Sequence, residues 1–275
     1  MTPTSLKHRI YAYKKKRLED LPPINKKIDA ISGYLESFNI RDVVMGVSGG
    51  IDSAVVLGLL AQIPEITIHA TNIHFELYRE IFDWRYLHLL KRHFATNNNI
   101  VWHDFDLTQT FQMFSRETNT AKESPDVLGN ISYAMRYLAF FSLAQKTKGV
   151  TCGTTNLDEM GYVGWFGKNS DMVVDIQPIA DLHKFEVIRY AYDLGLPEEI
   201  IQRMPQGDLI DLSTDEENFG CSYDDLAYLT SLYQKGVSFN DEERCYFARA
   251  ISLHEKNAHK YQGQNFNPVF LKQPI

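Results

Sequence analysis

Residues 43–56 read Val-Val-Met-Gly-Val-Ser-Gly-Gly-Ile-Asp-Ser-Ala-Val-Val, an apolar run, two adjacent glycines and a second apolar run. No other stretch constrains the fold as tightly. Gly49 and Gly50 permit positive φ and let backbone N–H groups approach an anion with no Cβ in the way. Ser48 and Ser53 add hydroxyls, and a helix opening at Asp52-Ser53 aims its N-terminal N–H groups at the same point. Such a strand–turn–helix unit belongs to an α/β chain and holds phosphate. The lysine of the G-x-x-x-x-G-K-[ST] loop is absent, which argues against ordinary γ-phosphate transfer. Asp52 would repel a phosphate unless it binds a Mg²⁺ that bridges to the phosphate oxygens.

The flanking sequence repeats the alternation. Ile24, Ile28, Ile31, Leu35 and Phe38 recur every three or four residues and predict a helix over 24–38. Strands are predicted at 42–47, 65–75, 99–107 and 148–154, and helices from Asp52, over 83–96 with Asp83 as cap, and from Gly129-Asn130 through Gln145. Strands alternating with helices imply a doubly wound parallel sheet with helices on both faces. Ligands of such sheets lie beyond the carboxyl ends of the strands, which groups the loops 46–53, 71–79 and 153–171. The acidic, turn-rich stretch 205–222 reads as a mobile loop.

Bulk properties narrow the function. The 275 residues suit one large α/β domain, and a net charge of −7 speaks against a nucleic-acid partner. The basic run Lys14-Lys15-Lys16-Arg17 reads as a solvated helix end. No apolar run approaches the ~20 residues of a membrane span, and the N-terminus lacks the apolar core of a secretory signal. Cys152, Cys221 and Cys245 are far apart and odd in number, which fits a reducing cytoplasm better than a disulfide framework or a zinc knuckle. His88 and His93, five apart in a helical stretch, face different ways and do not form a metal pair.

"SGGIDS" resembles the pyrophosphate-binding loop of the N-type ATP pyrophosphatases, which include NAD, GMP and asparagine synthetases and several tRNA-modifying enzymes. Further segments resemble NAD synthetases in particular: "GNISYAMRY" (129–137), "GTTNLDEMGYVGWFGKNSDMVVDIQPIADLHKFEV" (153–187), "PQGDLIDLSTDEENFGCSYDDL" (205–226) and "NAHKYQ" (257–262). The resemblance runs from about residue 24 to 262. It implies an adenine nucleotide alpha hydrolase-like fold in a single domain, without a glutaminase domain. It also implies a cytoplasmic homodimer, with the N-terminal helices of residues 1–40 as a dimer contact.

The activity implied is ammonia-dependent NAD synthesis. ATP-Mg²⁺ adenylates the nicotinate carboxylate of deamido-NAD, and ammonia then displaces AMP. Gly46, Val47, Ser48, Gly49, Gly50, Ile51, Asp52 and Ser53 would hold the ATP phosphates, with Thr154, Lys184 and Gln206 as further ATP contacts. Asp52 and Glu159 would bind Mg²⁺, and Asp52 and Lys184 would carry the chemistry. Arg136, Lys168, Asp175, His259 and Lys260 would contact the dinucleotide.

The departures concern the substrate wall. Ala134 stands where the family has an arginine, Gln206 where it has serine or threonine, and "NIHFELYR" (72–79) where it has a proline turn. The family's K-Y-G-D-G reads Lys168-Asn169-Ser170-Asp171-Met172, and one residue is inserted between Glu159 and Lys168. Arg79 or Arg136 could replace the missing charge. The runner-up reading is therefore an amide synthetase that adenylates a different carboxylate. A tRNA-modifying enzyme and a catalytically dead nucleotide-binding protein are the more distant rivals.

Overall fold

The computed structural model describes residues 5–76, 83–204, 213–261 and 269–270. Two helices, α1 (Leu6–Asp20) and α2 (Ile24–Ser37), precede the first strand, β1 (Asp42–Gly46). Helix α3 (Ile51–Ala61) leads to β2 (Thr67–His74), α4 (Trp84–His93) to β3 (Ile100–Asp106), and α5 (Thr108–Glu117) with α6 (Pro125–Thr147) to β4 (Val150–Cys152). Then come α7 (Leu157–Gly161), β5 (Ile176–Gln177), α8 (Lys184–Asp193), α9 (Glu198–Ile201), α10 (Asp215–Phe219), α11 (Tyr223–Gln234), α12 (Asp241–Tyr246) and α13 (Ala248–Asn257). A two-residue strand, β6 (Val269–Phe270), closes the described sheet.

The strands pair in the order β3-β2-β1-β4-β5-β6, all parallel. The doubly wound sheet is thus as expected. Its order reverses between β1 and β4, so the loops after these two strands diverge and leave a crevice between them.

The pleat distributes the core. On β1, Val43 and Met45 face one way, into a cluster with Val55, Leu59, Ile68 and Tyr190 from α3, β2 and α8. Val44 faces the other way, among Phe111, Phe140, Leu143 and Ala144 of α5 and α6. A third cluster gathers Leu6 and Ile10 of α1 with Phe219, Leu226, Leu229 and Phe247 of the C-terminal helices.

Several boundaries differ from expectation. α6 starts at Pro125, four residues before Gly129, with Ser124 in the N-cap position and proline in the first turn. Proline's fixed φ suits that turn, so the polar stretch does not delay the helix. β5 and β6 are too short to show periodicity, and neither is predicted. The described part of the supposed mobile loop 205–222 contains α10, capped by Thr214 with Glu217 reaching back. Residues 205–212, with Gln206, lie outside the described residues, as do 77–79, with Arg79.

The basic run 14–17 is only half solvated. Lys15 and Lys16 are exposed, but Lys14 Nζ meets Asp224 at 2.6 Å and Arg17 meets Glu186 at 2.7 Å. In α2, the buried Lys27 pairs with Asp181 at 2.6 Å. Both N-terminal helices therefore hold the segment that leads into α8, through charges that a helical reading of the sequence leaves in water.

Candidate active site

Beyond the carboxyl ends of β1 and β4, Ser48, Gly50, Ile51, Asp52 and Ser53 face Thr154, Glu159 and Lys184 across a cleft of about 840 Å³, measured with its open mouth. The first and third predicted loops therefore meet. The described residues of the second, which run as far as Glu76, do not line the cleft.

The glycine loop is shaped by its own atoms. Gly49 has φ of 80°, and Gly50 caps α3. A Cβ on Gly49 would come within 3.0 Å of Tyr86 Cβ and 3.3 Å of an Arg203 nitrogen, so glycine serves both backbone angle and clearance. Ser53 Oγ donates to Gly50 O at 3.0 Å and accepts from Ser48 N at 3.3 Å. Gly46 lies against α6, where a Cβ would meet Phe140 at 2.7 Å. Strand, loop and helix are thereby clamped in one geometry.

Asp52, on the first turn of α3, accepts from Lys184 Nζ at 2.5 Å. Lys184, at the first turn of α8, is only 4% exposed. Burial works against its charge, yet the carboxylates of Asp52 and Glu159 outweigh that and hold its pKa above the ordinary value. Asn156 places the second carboxylate. Its side-chain oxygen accepts from the backbone N–H groups of Asp158 and Glu159, and its Nδ2 donates to Glu159 Oε1 at 2.8 Å and Asp52 Oδ1 at 3.3 Å. One amide thus brings an oxygen of each carboxylate to a common point.

Asp215 adds a third carboxylate, held by Tyr223 OH at 3.0 Å and Trp165 Nε1 at 3.3 Å. Burial raises the pKa of Asp215. Burial first, and then the Asp52 charge, push that of Glu159 well above the usual carboxylate range. The cluster has more negative charge than Lys184 offsets, and added positive charge would relieve it. Among the described residues no group of three or more His, Cys, Asp or Glu is arranged as a metal cage. Two carboxylates do, however, suit Mg²⁺, which takes one or two protein ligands and completes its shell with phosphate oxygens and water.

The predicted substrate residues divide. Lys168 Nζ donates to His259 O at 3.1 Å, and Lys260 Nζ donates to Gly164 O and Phe166 O at 2.9 and 2.8 Å. The 164–168 segment and the 258–260 turn therefore form one unit. Arg136 lies over the rings of Phe75 and Tyr133, at 5.5 and 5.4 Å. Asp175 is not brought to the cleft. Its carboxylate accepts from Thr151 N and Oγ1 at 2.7 and 2.8 Å and links the starts of two strands.

Sequence reading passed over Asn156, Asp171, Arg203 and Asp215. The spacing of Thr214 and Glu217 marked a helix start that would have pointed to Asp215. Nothing local marked Arg203, whose guanidinium sits 4.4 Å over the Tyr86 ring at the edge of the cleft.

A family model described as NAD synthase matches residues 23–263. The NH(3)-dependent NAD(+) synthetase of Mesoplasma florum is 32% identical over 86% of this chain and 92% of its own. That of Thermoplasma volcanium is 29% identical over 87% of this chain and 96% of its own. Among solved structures, an NMN synthetase from Francisella tularensis superposes with a TM-score of 0.75 at 22% identity, over 90% of this chain and all of that one.

Proposed function

Since this chain belongs to the NAD synthase family, we propose that it is an ammonia-dependent NAD synthetase. The observation that carries the reading is the Asp52–Lys184–Glu159 cluster set against the open end of the glycine loop. In the reaction an oxygen of the nicotinate carboxylate of deamido-NAD attacks the α-phosphorus of ATP, and the bond to pyrophosphate breaks. Ammonia then adds to the activated carbonyl, loses a proton, and AMP leaves. The products are the amide of NAD, AMP and pyrophosphate.

The residues of this chain contribute positioning and electrostatics. The backbone N–H groups of the loop and the first turn of α3 hold the phosphates, with Thr154 beside them. Lys184 offsets the charge that gathers on the leaving pyrophosphate. Asp52 and Glu159 would hold Mg²⁺, which supplies Lewis-acid polarisation of the phosphate oxygens when bound. The unit of Lys168, His259 and Lys260, together with Arg136, would face the dinucleotide.

Homodimerisation is proposed through α5 and α6. Leu138 and Phe141 on α6 are 63% and 55% exposed, and Met113 and Phe114 on α5 are exposed nearby in sequence. α1 covers its own apolar face within the chain, so it is the weaker candidate contact. Three free cysteines suit a cytoplasmic location, and no described helix is long and apolar enough to cross a membrane.

Incubation with ATP, Mg²⁺, ammonium and deamido-NAD tests the reading, with AMP and NAD followed by mass spectrometry. Equal formation of the two is expected. Pyrophosphate release without NAD, on another carboxylate, would replace the substrate and keep the chemistry. A narrower prediction concerns Arg203. Arg203→Ala is expected to raise KM for ATP about tenfold with kcat within about twofold, the pattern of a charge that binds ground and transition states alike. An unchanged KM would remove Arg203 from the phosphate site.

A further inference from the structure

Helix α1 ends before the residues that the family model matches, yet it reaches the first turn of α8, where Lys184 sits. Three hydrogen bonds connect them. Tyr13 OH lies 2.7 Å from His183 Nε2, and His183 Nδ1 lies 2.6 Å from Asp158 Oδ1. Asp158 Oδ2 accepts from the Lys184 backbone N–H at 2.7 Å. His183 and Asp158 are fully buried. Burial pushes the Tyr13 phenol up to about 12, so the hydroxyl stays protonated and can donate to Nε2. With Nε2 accepting from Tyr13, the ring proton on Nδ1 faces Asp158.

The far end of the chain of bonds is the reaction cluster. Asp158 precedes Glu159 on α7, and Asn156, which joins Asp52 to Glu159, also accepts from Asp158 N. A second contact from α1 supports the same turn. Arg17 pairs with Glu186 Oε2 at 2.7 Å, and the same oxygen accepts from His183 N at 2.8 Å. Lys14 meets Asp224 on α11 and also lies 5.5 Å over the Phe185 ring of α8, whereas Arg9 points elsewhere, to Glu243 on α12. One helix therefore makes contacts of two kinds, some on the turn that carries Lys184 and some on the C-terminal helices alone.

We propose that Tyr13 is a positioning residue for Lys184, its hydroxyl fixing the first turn of α8 through His183 and Asp158. This rests on the reading of Lys184 as the residue that neutralises the leaving pyrophosphate. A loosened turn leaves the lysine charged and present but less often aimed, which lowers kcat and spares ATP binding.

Tyr13→Phe keeps the ring, which packs edge-on against His183 and Tyr228, and removes only the hydroxyl. Arg9→Ala is the control, since it breaks contacts of the same helix with Glu242 and Glu243 that do not touch α8. The full-length proteins are compared by thermal melting, by hydrogen exchange at the Lys184 amide, and by steady-state kinetics. In Tyr13→Phe the Lys184 amide is expected to exchange about tenfold faster and kcat to fall about tenfold, with KM for ATP within about twofold. Its Tm should stay within about 2 °C of wild type, whereas Arg9→Ala should lower Tm and leave exchange at Lys184 and kcat unchanged.

Exchange and kcat both within about twofold of wild type in Tyr13→Phe would overturn the proposal. So would losses that track Tm alike in the two variants, or a Tyr13→Phe chain that does not fold, because the hydroxyl would then serve stability alone. If the wild-type protein makes no NAD, the reading of the reaction fails by itself, and the exchange rate at Lys184 still decides the role of Tyr13.

Discussion

Asp52→Asn is expected to abolish pyrophosphate release, lowering kcat by about a thousandfold or more, while the chain folds normally. The substitution keeps the shape and removes the charge. Asp52 is the partner of Lys184 at 2.5 Å and the carboxylate that shares Asn156 with Glu159. An amide there offers Mg²⁺ a weaker ligand and gives the Lys184 ammonium a neutral oxygen in place of a carboxylate. Folding depends on Asp52 much less. The amide oxygen can still accept from the buried Lys184 ammonium, and Glu159 remains beside it, so the cost to folding is about 1–3 kcal/mol. Pyrophosphate release and a thermal melt on the same preparation would check both halves. Turnover at the wild-type rate would rule out Asp52 as a metal ligand and as a catalytic group.

The legibility of this site follows the range of the interactions that build it. The glycine loop could be read because its chemistry is local. A backbone angle, two hydroxyls and a helix start all lie within 46–53, and each is visible in residue type. Glu159 and Lys184 could be assigned only through motifs resembling a known family, since an isolated acid or lysine says nothing of its partner. Asp158 and His183 escaped both routes. Neither stands in a motif position, and their role appears only when α1, α7 and α8 meet in space. The basic run of α1 misled for the same reason, because helical spacing cannot show that Asp224 and Glu186 wait opposite Lys14 and Arg17. The expectation of a loop over 205–222 missed α10 within it for a more local reason. Acidic and turn-forming residues also make good N-caps, and Thr214 with Glu217 used that property to start α10 and bring Asp215 to the cleft.

Lys184→Met should have the second large effect, and one that separates two roles of a single ammonium. Without nucleotide, Lys184 is the cation set between Asp52 and Glu159, and it lies 4.9 Å from the centre of the Tyr223 ring. Methionine fills similar space without charge, so the carboxylates lose their counterion. Breaking a buried pair from one side costs about 3 kcal/mol, an upper figure here because Glu159, already pushed toward its neutral form, can take up a proton. Turnover should fall about a thousandfold, since no other residue assigned here would neutralise the leaving pyrophosphate from that side. The response to Mg²⁺ should move in the opposite direction. In wild type a divalent ion must displace or share with an ammonium that already satisfies Asp52; in Lys184→Met it meets two uncompensated carboxylates. Millimolar Mg²⁺ without ATP should therefore raise the Tm of the variant more than that of wild type, through binding to the folded state alone. Equal shifts would mean that lysine and metal do not compete for the same carboxylates, and the metal would then have to be sought away from Asp52 and Glu159. A larger shift in the variant, with turnover still lost, would show that the lysine's part in catalysis is its charge on the phosphates and not the placement of the metal.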